Sequence, residues 1–455
     1  MKKITFSFVL LFTIYSNAFN QNWSSVGDFT TGWGSDIRVL YNDTVEDKLF
    51  IGGMFLNVNS MKAYSIVKYN GISFDTLSNV NMQGQIVVEI TRFNNKIYIG
   101  GFVYCLPIYD KPCGVAYYEN NSWIFCGGGI DANVGLLFPL DTTLLIGGLM
   151  QYIQGGDTLD GMITWNGSSY YCCMDDSISR VGNNSPLCAI IWHDTLLIGG
   201  NFHLPDGNRI AYWNGSKFIS LGGGLKTGSY TWVNTMIEYK GDLYIAGYFE
   251  KSTGNAGNFI QRWDGHLWHD VGGGVCCGQI FDMTVFNNEL YVVGAFNYAG
   301  GVPANYIAKW DGTKWCGFGN TFNNIIETVE VYHNELYIGG SFKKIDNDSI
   351  YLFAKWTGNN YTDTCGFVGI QENNISSENI IIYPNPANTS VEITTNNEQI
   401  IKEVKLYTIE GKLINKQSFT ETNVKINSSQ LPTGMYIVKV QTNKKQVYQK
   451  LLISH

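Results

Sequence analysis

The histidines of this 455-residue chain are the first candidates for metal or acid–base chemistry. His193 and His333 each stand just before a repeated apolar phrase, "LLIGG" or "LYIGG". His266 and His269 lie at a second repeated motif, and of these histidines within the repeats only His203 falls in a longer connection. Because a metal site needs several ligands that converge, the sequence predicts no metal and no other cofactor.

Motifs of nucleophilic and phosphate chemistry are missing as well. The chain has no G-x-S-x-G elbow, no phosphate loop, no calcium loop and no sialidase-type Asp box. Aspartate and glutamate are plentiful, 38 in all, but spacing singles out no pair. The sequence therefore predicts no catalytic residue. A glycosidase, whose two carboxylates are brought together by the fold, stays an open alternative.

Aromatic side chains are the best candidates for ligand contact. Five tryptophans recur at one position of a repeat, which favours a role in the core: Trp165, Trp213, Trp263, Trp310 and Trp356. Six further rings fall in connections that do not repeat: Trp33, Tyr104, Tyr109, Tyr152, Tyr230 and Trp232. These six are the predicted ligand-binding residues, because rings on variable loops can stack on a sugar. Packing within the loops is the alternative.

The ten cysteines suit an exported protein, since disulfides persist in oxidising compartments. Cys105 and Cys113 share the stretch "YCLPIYDKPC", a spacing that a disulfide could close, with buried free thiols as the alternative. The adjacent pairs at 172–173 and 276–277 could cross-link to other strands. Spacing alone does not give the connectivity.

The N-terminal stretch "MKKITFSFVLLFTIYSNAFN" has the organisation of a signal peptide. Two lysines precede an apolar run from Ile4 to Tyr15, and the small residues Ser16 and Ala18 follow. We expect a signal peptide at 1–18, because the run is shorter than the roughly 18 apolar residues of an uncleaved anchor. We expect no membrane span after its removal.

Charge is divided unevenly along the chain. From residue 380 to the end there are nine lysines and five glutamates, a net charge of +4. Without that segment and the two N-terminal lysines, 19 basic and 33 acidic residues remain, a net charge of −14. An acidic body repels phosphate backbones, so nucleic acid is excluded as a partner.

One phrase recurs seven times at a spacing typical of repeat proteins. The copies are "LFIGGMF" at 49, "IYIGGF" at 97, "LLIGGLM" at 144, "LLIGGNF" at 196, "LYIAGYF" at 243, "LYVVGAF" at 290 and "LYIGGSF" at 336. A second phrase, such as "KWDGTKW" at 309, follows each copy and predicts a strand, a two-residue turn at Asn-Gly or Asp-Gly, and another strand. Each unit thus has four strands, a to d, and the all-β prediction is a seven-bladed β-propeller over 19–365.

These phrases resemble the kelch and galactose-oxidase superfamily of propellers, and "GAFNYAGGVPANYIAKWDGTKW" is similar to delta-60-type repeats. Copper-oxidase relatives have several metal ligands on one face, which are not found here. Ala246 and Val293 depart from the Gly-Gly pattern and make close packing there less certain. The a–b and c–d turns are short and repetitive, whereas the b–c and d–a loops vary and form the expected binding face. We expect "NWSSVG" at 22–27 to close the ring against the last blade, with "NYTDTCG" at 360–366 as the rival.

A small β-sandwich is predicted at 380–455, after a polar linker at 366–379. It resembles the type A C-terminal sorting domain of the type IX secretion system of Bacteroidota. The matching motif residues are Tyr383, Pro384, Asn385, Pro386, Gly411, Gly434, Tyr436 and Lys450. The resemblance implies handling by the type IX secretion machinery, a secreted or outer-membrane cell-surface location, and removal of the module on arrival. An Ig-like accessory domain is the alternative.

Together these features predict an exported, non-enzymatic propeller that binds a glycan or a protein through its b–c and d–a loops. An extracellular enzyme that acts on polysaccharide is the first alternative, and a structural or adhesive envelope component is the second.

Overall fold

The computed structural model describes residues 22–453. Excluded from that range are 31–34, 78–84, 104–112, 131, 155–156, 173–177, 179–184, 226–230, 251–255, 359–363, 366–379, 386, 396–398, 409–411 and 445. The chain divides into two compact units, with the boundary between residues 369 and 370. The predicted signal peptide, 1–18, lies outside the described residues. Within the described ranges the chain is all-β, with no α-helix.

Strands of the first unit form seven main antiparallel sheets, counted over the described residues, six of them with four strands and one with five. The chain begins with β1 (Trp23–Ser25) and β2 (Phe29–Thr30). Sheets 1 to 3 use β3 (Asp36–Asp43), β4 (Lys48–Met54), β7 (Ile66–Tyr69) and β8 (Phe74–Thr76); β9 (Ile86–Phe93), β10 (Lys96–Phe102), β11 (Val115–Glu119) and β12 (Ser122–Phe125); and β13 (Ala132–Pro139), β14 (Leu144–Gln154), β15 (Asp157–Trp165) and β16 (Tyr170–Cys172). The short strands β5 (Asn57–Val58) and β6 (Met61–Lys62) pair beside β2.

Sheets 4 to 7 repeat this order. They use β17 (Ser185–Trp192), β18 (Thr195–Leu204), β19 (Gly207–Trp213) and β20 (Phe218–Ser220); β21 (Trp232–Tyr239), β22 (Asp242–Tyr248), β23 (Ile260–Trp263) and β24 (Trp268–Asp270); β26 (Gln279–Phe286), β27 (Glu289–Ala295), β30 (Ile307–Trp310) and β31 (Trp315–Gly317); and β32 (Ile326–Tyr332), β33 (Glu335–Gly340), β34 (Phe353–Trp356) and β1. A small separate sheet contains β25 (Val275–Cys276), β28 (Tyr298–Ala299) and β29 (Val302–Pro303). All seven copies of the repeated phrase are second strands of these sheets, as the sequence predicts.

The turns within the sheets explain the repeated polar residues. Between first and second strands, pairs such as Asn94–Asn95 and His333–Asn334 both have positive φ, which is the geometry of a type I′ turn. Between third and fourth strands the turn differs from the predicted one. In "NGIS", Gly71 has the positive φ, and Asn70 instead accepts hydrogen bonds from the backbone N–H of two following residues through its side chain.

The N-terminal strand pairs with a strand of the last sheet. β1 pairs with β34, with Trp23 opposite Trp356, so the predicted pairing of "NWSSVG" with the last repeat is confirmed. The rival role for "NYTDTCG" is wrong. Its strand β35 (Thr364–Cys365) pairs with β31 as a fifth strand of sheet 6, and a disulfide joins Cys365 to Cys316 in β31.

Neighbouring sheets bury their apolar faces against each other. One cluster joins Leu136 and Leu145 of sheet 3 to Leu196 and Ile198 of sheet 4, and similar clusters span other neighbours. The first strand of each sheet contacts the first strand of the next, and β32 of sheet 7 contacts β3 of sheet 1. The hydrophobic effect favours this stacking, because a four-stranded sheet alone leaves both faces exposed.

The second unit contains two facing groups of strands and its own core. One sheet has β36 (Ile380–Tyr383), β37 (Ser390–Thr395) and β40 (Asn423–Asn427); the other has β38 (Ile401–Thr408), β39 (Leu413–Glu421), β41 (Gly434–Thr442) and β42 (Gln446–Ile453). Alternate residues such as Val391, Ile393, Val404 and Val438 are buried in one cluster. This alternation is typical of strands with one face on a core.

Candidate functional site

A cavity of about 500 Å³ lies where the seven first strands meet. Residues of every first strand line it: 38–40, 88–89, 135–138, 187–189, 234–236, 281–283 and 327–330. Its volume falls within the range of about 300–1,000 Å³ found for small-molecule sites. The cavity is therefore the main candidate for a functional site in the described part of the chain.

Each first strand has a β-bulge at the cavity. One residue per strand has no partner on the second strand: Arg38, Val88, Gly135, Leu187, Asn234, Phe281 and Glu327. All seven line the cavity. A bulge adds a residue on one side of the ladder and turns its side chain away from the regular alternation. The repeated fold thus supplies seven variable positions around one space.

The glycine pair of the repeated phrase makes the bulge possible. A Cβ on Gly53, the second glycine of sheet 1, would lie 2.3 Å from the backbone oxygen of Asp36. A Cβ on Gly52, the first, would instead meet the side chain of Val87 at 2.7 Å. Side chains can move and this backbone cannot, so only the second glycine is obligatory. In sheets 5 and 6 the first glycine is replaced by Ala246 and Val293. Both side chains are fully buried, so packing at these two positions is close, in contrast to the expectation from the sequence.

Four carboxyl groups and one guanidinium line the cavity: Glu89, Asp282, Glu327, Glu330 and Arg38. Arg38 donates to the Asp36 carboxylate from Nε at 3.0 Å and from Nη2 at 2.9 Å. Since that pair is largely neutral as a unit, the remaining lining is acidic.

Asp282 ties three sheets together at the cavity wall. Its carboxylate accepts hydrogen bonds from Thr328 Oγ1 at 2.9 Å and from the Val329 N–H at 3.0 Å, both on sheet 7. The Leu40 N–H of sheet 1 donates in turn to Thr328 Oγ1 at 3.3 Å. Burial raises the pKa of Asp282, although these hydrogen bonds oppose the shift. The carboxyl group is therefore held in a fixed position.

The three glutamates have strongly perturbed acidities. Burial, and then the charge of Asp36, raises the pKa of Glu327 to about 7. Burial raises the pKa of Glu330 to about 7 as well, with Asp282 adding to the shift. Burial and the Asp282 charge raise the pKa of Glu89 well above its usual value. Near neutral pH the cavity therefore holds carboxyl groups that can both donate and accept hydrogen bonds, and such groups in a cleft indicate a functional site.

Metal chemistry finds no support in this arrangement. Across the described ranges, no group of three or more His, Cys, Asp or Glu side chains is placed to hold a metal ion. His203, which the sequence places in a b–c loop, lies in the extended end of β18, where its Nδ1 is 2.9 Å from Asn208 Oδ1. His269 Nε2 lies 2.6 Å from Asp264 Oδ2, across the turn between β23 and β24.

Of the six predicted aromatic ligand residues, Trp232 is the one whose side chain the structure describes. It starts β21, two residues before the bulged Asn234, and stacks on Tyr248 with ring centroids 5.0 Å apart and an interplanar angle of 23°. Both rings are half-buried. Trp33, Tyr104, Tyr109 and Tyr230 lie outside the described residues. Tyr152 pairs with Leu159 in the backbone of sheet 3, and its side chain is not described.

The recurring tryptophans belong to the core in part. Trp165, Trp263 and Trp310 are buried, as predicted, whereas Trp213 and Trp356 are half-buried. Trp356 packs edge-on against Trp23 of the closing strand at 4.9 Å. The two less buried rings therefore also serve as packing residues.

The cysteines differ from expectation at one pair. Cys276 and Cys277 form a disulfide with each other, so the predicted cross-link from this pair to another strand is wrong. Cys113 is disulfide-bonded, and its predicted pairing with Cys105 stays a prediction because Cys105 lies outside the described residues. For the 172–173 pair, neither side chain is among those described.

Residues of the predicted sorting motif converge on the last strand, β42. The Leu452 N–H donates to Asn385 Oδ1 at 2.8 Å, Gly434 pairs with Ile453, and Tyr436 pairs with Leu451. The Tyr436 hydroxyl donates to the Pro432 carbonyl at 2.8 Å. Tyr383 is exposed and its bond to Pro384 is cis. Pro386 and Gly411 lie outside the described residues, as does the side chain of Lys450. The motif's two ends, far apart in sequence, thus meet in space.

A comparison with family models decides what this second unit is. Residues 381–454 match the model described as the secretion system C-terminal sorting domain. The chain carries a type IX sorting domain. The sorting domain directs the protein to secretion or to attachment at the cell surface, through the type IX secretion machinery. No helix in the described ranges is long and apolar enough to cross a membrane.

Solved structures similar to the whole chain are distant. PorZ, an essential surface component of the type IX secretion system of Porphyromonas gingivalis, is 13% identical with a TM-score of 0.38, and the match covers 90% of this chain and 64% of PorZ. The extracellular domain of the hybrid two-component system BT4673 from B. thetaiotaomicron is 12% identical with a TM-score of 0.46, covering 95% and 59%. This chain therefore spans less than two thirds of either protein. The comparison with curated proteins finds no match.

The sequence reasoning missed the cavity carboxyls. The bulged residue stands at the same distance before the glycine pair in six of the seven copies, for example Val88 before Gly100 and Glu327 before Gly339. Glu327 stands at that position, Glu89 and Asp282 stand one residue after it, and Glu330 lies three residues after it. An alignment of the copies over these positions is the signal that would have found them.

Proposed function

We propose that the first unit, residues 19–365, is a seven-bladed β-propeller that binds a glycan or a protein at its central cavity and surrounding loops. In this proposal the signal peptide at 1–18 and the sorting domain at 380–455 serve export, and the linker at 366–379 joins the two folded parts. Seven sheets of four or five strands support the propeller, because their first strands contact one another in sequence and the last contacts the first.

The cavity is the observation that carries the binding proposal. Each bulged residue is the second, third or fourth residue of its first strand, so the cavity is close to the end where the d–a connections enter. Loops at such a mouth can vary without disturbing the sheets, and rigid scaffolds commonly present ligand sites in this way.

A hydroxyl-rich ligand suits the chemistry of this site. The side chain of Glu89 makes no hydrogen bond or ion pair within the described part of the chain, and Glu89 lines the cavity. Carboxyl groups with raised pKa values can accept and donate hydrogen bonds to sugar hydroxyls. The Trp232 ring, at the start of the strand that brings Asn234 to the cavity, and the Tyr248 ring stacked on it offer an apolar face for stacking.

Binding to a glycan array tests the proposal, with the full chain and two variants. Glu89→Gln removes a cavity carboxyl group, and we expect at least a tenfold loss of affinity for the glycan that binds, since an interaction of about 1.4 kcal/mol corresponds to tenfold. Glu238→Gln is the matched control, because Glu238 is exposed on β21 outside the cavity lining. Equal binding by both variants would place the ligand elsewhere.

One observation favours an enzyme that acts on polysaccharide as the second candidate. Glu327 and Glu330 lie in one cavity, and the pKa of each is about 7, which is the range suited to a general acid or base near neutral pH. If the protein is an enzyme, the glycan that binds is cleaved by the wild-type chain and persists with Glu330→Gln. Binding without cleavage in the wild type excludes this candidate.

A further inference from the structure

The disulfide between Cys276 and Cys277 is placed on the surface. Cys276 is the last residue of β25 and pairs with Tyr298 of the small sheet β25-β28-β29. Both cysteines are exposed, so a thiol in solution can reach the bridge.

This disulfide contributes little to the stability of the fold. Stabilisation by a disulfide rises with the length of the loop that it closes, and two adjacent residues form the shortest loop. Other interactions hold the small sheet: the Gly300 N–H donates to the Gly274 carbonyl at 2.8 Å, and Val275 and Ala299 are buried. The bridge can therefore open while the sheet stays formed.

The other described cysteines differ in accessibility. Cys316, in the bridge to Cys365, is 1% exposed. Cys126 is a buried free thiol whose pKa burial raises to about 12, and burial also raises the pKa of the free Cys188 thiol. Thiols with such pKa values carry almost no thiolate near neutral pH and do not attack disulfides. A reductant for the exposed bridge must come from outside the described part of the chain.

We propose that Cys276–Cys277 is a thiol–disulfide exchange site for an external dithiol. A thiolate of the dithiol attacks one cysteine sulfur and breaks the bridge, forming a mixed disulfide, while the other cysteine leaves as a thiolate and takes up a proton. The second thiolate of the same dithiol then attacks the dithiol sulfur that is held in the mixed disulfide. This releases the first cysteine as a thiolate, which takes up a proton, and the dithiol becomes an internal disulfide. The bridge gains two electrons and two protons, which the dithiol loses.

The position of the site gives the exchange a structural context. Cys277 is followed by Gly278 and then by β26, which contributes Phe281 and Asp282 to the cavity wall. Gly278 packs so closely that a Cβ there would lie 1.3 Å from the Ala295 carbonyl oxygen. The exchange site thus lies in the connection that leads into the cavity wall, yet its chemistry is independent of any ligand.

Native-state labelling tests the proposal on the full chain. The oxidised protein is treated with dithiothreitol in native buffer, labelled with N-ethylmaleimide at successive times, and digested with trypsin. Cleavage after Arg262 and Lys309 puts Cys276 and Cys277 in one peptide, apart from Cys316 and Cys365. We expect that peptide to gain two labels at least ten times faster than the peptides with Cys316 and Cys365, because exposure controls exchange.

The control is the double variant Cys276→Ser with Cys277→Ser, which should lose the fast labels and keep its unfolding temperature. Two results would overturn the proposal. One is labelling of both cysteines before any dithiol is added, which means that they are free thiols. The other is labelling of the pair no faster than that of Cys316 and Cys365.

Discussion

Replacing Glu330 with glutamine should stabilise the first unit at pH 8 and leave it nearly unchanged at pH 5. Burial, with the charge of Asp282, raises the pKa of this carboxyl group to about 7 in the folded protein, compared with 4.5 for an ordinary glutamate such as that of the unfolded chain. Below about pH 4.5 the group is protonated in both states. Between the two values the unfolded chain releases its proton first, so the free energy of unfolding falls as pH rises, and above pH 7 the loss is complete.

The magnitude follows from the size of the shift. A difference of about 2.5 pH units corresponds to about 3 kcal/mol at most. Because the Glu330 carboxyl group still reaches the cavity and is only partly desolvated, we expect a gain of about 1–2 kcal/mol at pH 8 and less than about 0.5 kcal/mol at pH 5. Glutamine keeps an oxygen that can accept from the Val331 N–H, as Glu330 Oε1 does at 2.7 Å.

Urea unfolding followed by tryptophan fluorescence measures this gain. All 12 tryptophans lie before residue 357, so the signal reports the first unit alone. The control variant is Glu238→Gln, at an exposed position of β21. It should leave the free energy of unfolding unchanged at both pH 5 and pH 8. A gain of equal size at both pH values would mean that the substitution acts through packing. A loss at pH 8 would mean that the folded protein stabilises the ionised carboxylate, and the reasoning would be refuted.

Three further predictions concern the disulfide, the glycine pair and the sorting domain. Replacing Cys316 and Cys365 with alanine should lower the free energy of unfolding by about 4 kcal/mol in urea titrations, because their bridge spans a sequence separation of 49; a loss below about 1 kcal/mol would contradict this. Gly53→Ala should cost more than about 3 kcal/mol, since its Cβ meets backbone, whereas Gly52→Ala should cost about 1–2 kcal/mol, and the reverse order in the same titrations would disprove the bulge argument. Deleting 380–455 should retain a folded first unit inside the cell with an unchanged melting temperature, and cell fractionation that still finds it outside would refute the address. Mass spectrometry of the exported wild-type protein should find no peptides from that segment, with cleavage between about 366 and 380.

Periodic features of this fold could be predicted from the sequence, because one chemical constraint recurs in every repeat. The second strands follow from alternating apolar residues, the hairpins follow from turn residues, and "NWSSVG" could be assigned to the last sheet because it resembles a fourth strand. The sorting domain was recognisable for a similar reason, as Asn385, Gly434 and Tyr436 have defined positions around one strand.

Features that depend on contacts between repeats could not be predicted in the same way. The bulges arise because backbone meets backbone opposite Gly53 and its equivalents, and no pattern of hydrophobicity reports such a contact. Glu89, Asp282 and Glu330 come from three separate repeats and meet only when the sheets are arranged together. The position of Cys365 on sheet 6 was missed because its strand of two residues carries almost no periodic signal.

The pairing of β1 with β34 sets the order in which the protein can fold. Five sheets are built only from strands that follow one another in the chain, and sheet 6 adds only its edge strand β35 from further along, so each can form from local hairpins, whereas the seventh needs Trp23 to find Trp356. Contacts between such distant residues form slowly. Until that contact is made, β34 has an open edge that can pair with the N-terminal strand of another newly made molecule. The time that β1 needs to pair with β34, rather than the stability of any single sheet, therefore governs how long a new chain is prone to aggregate.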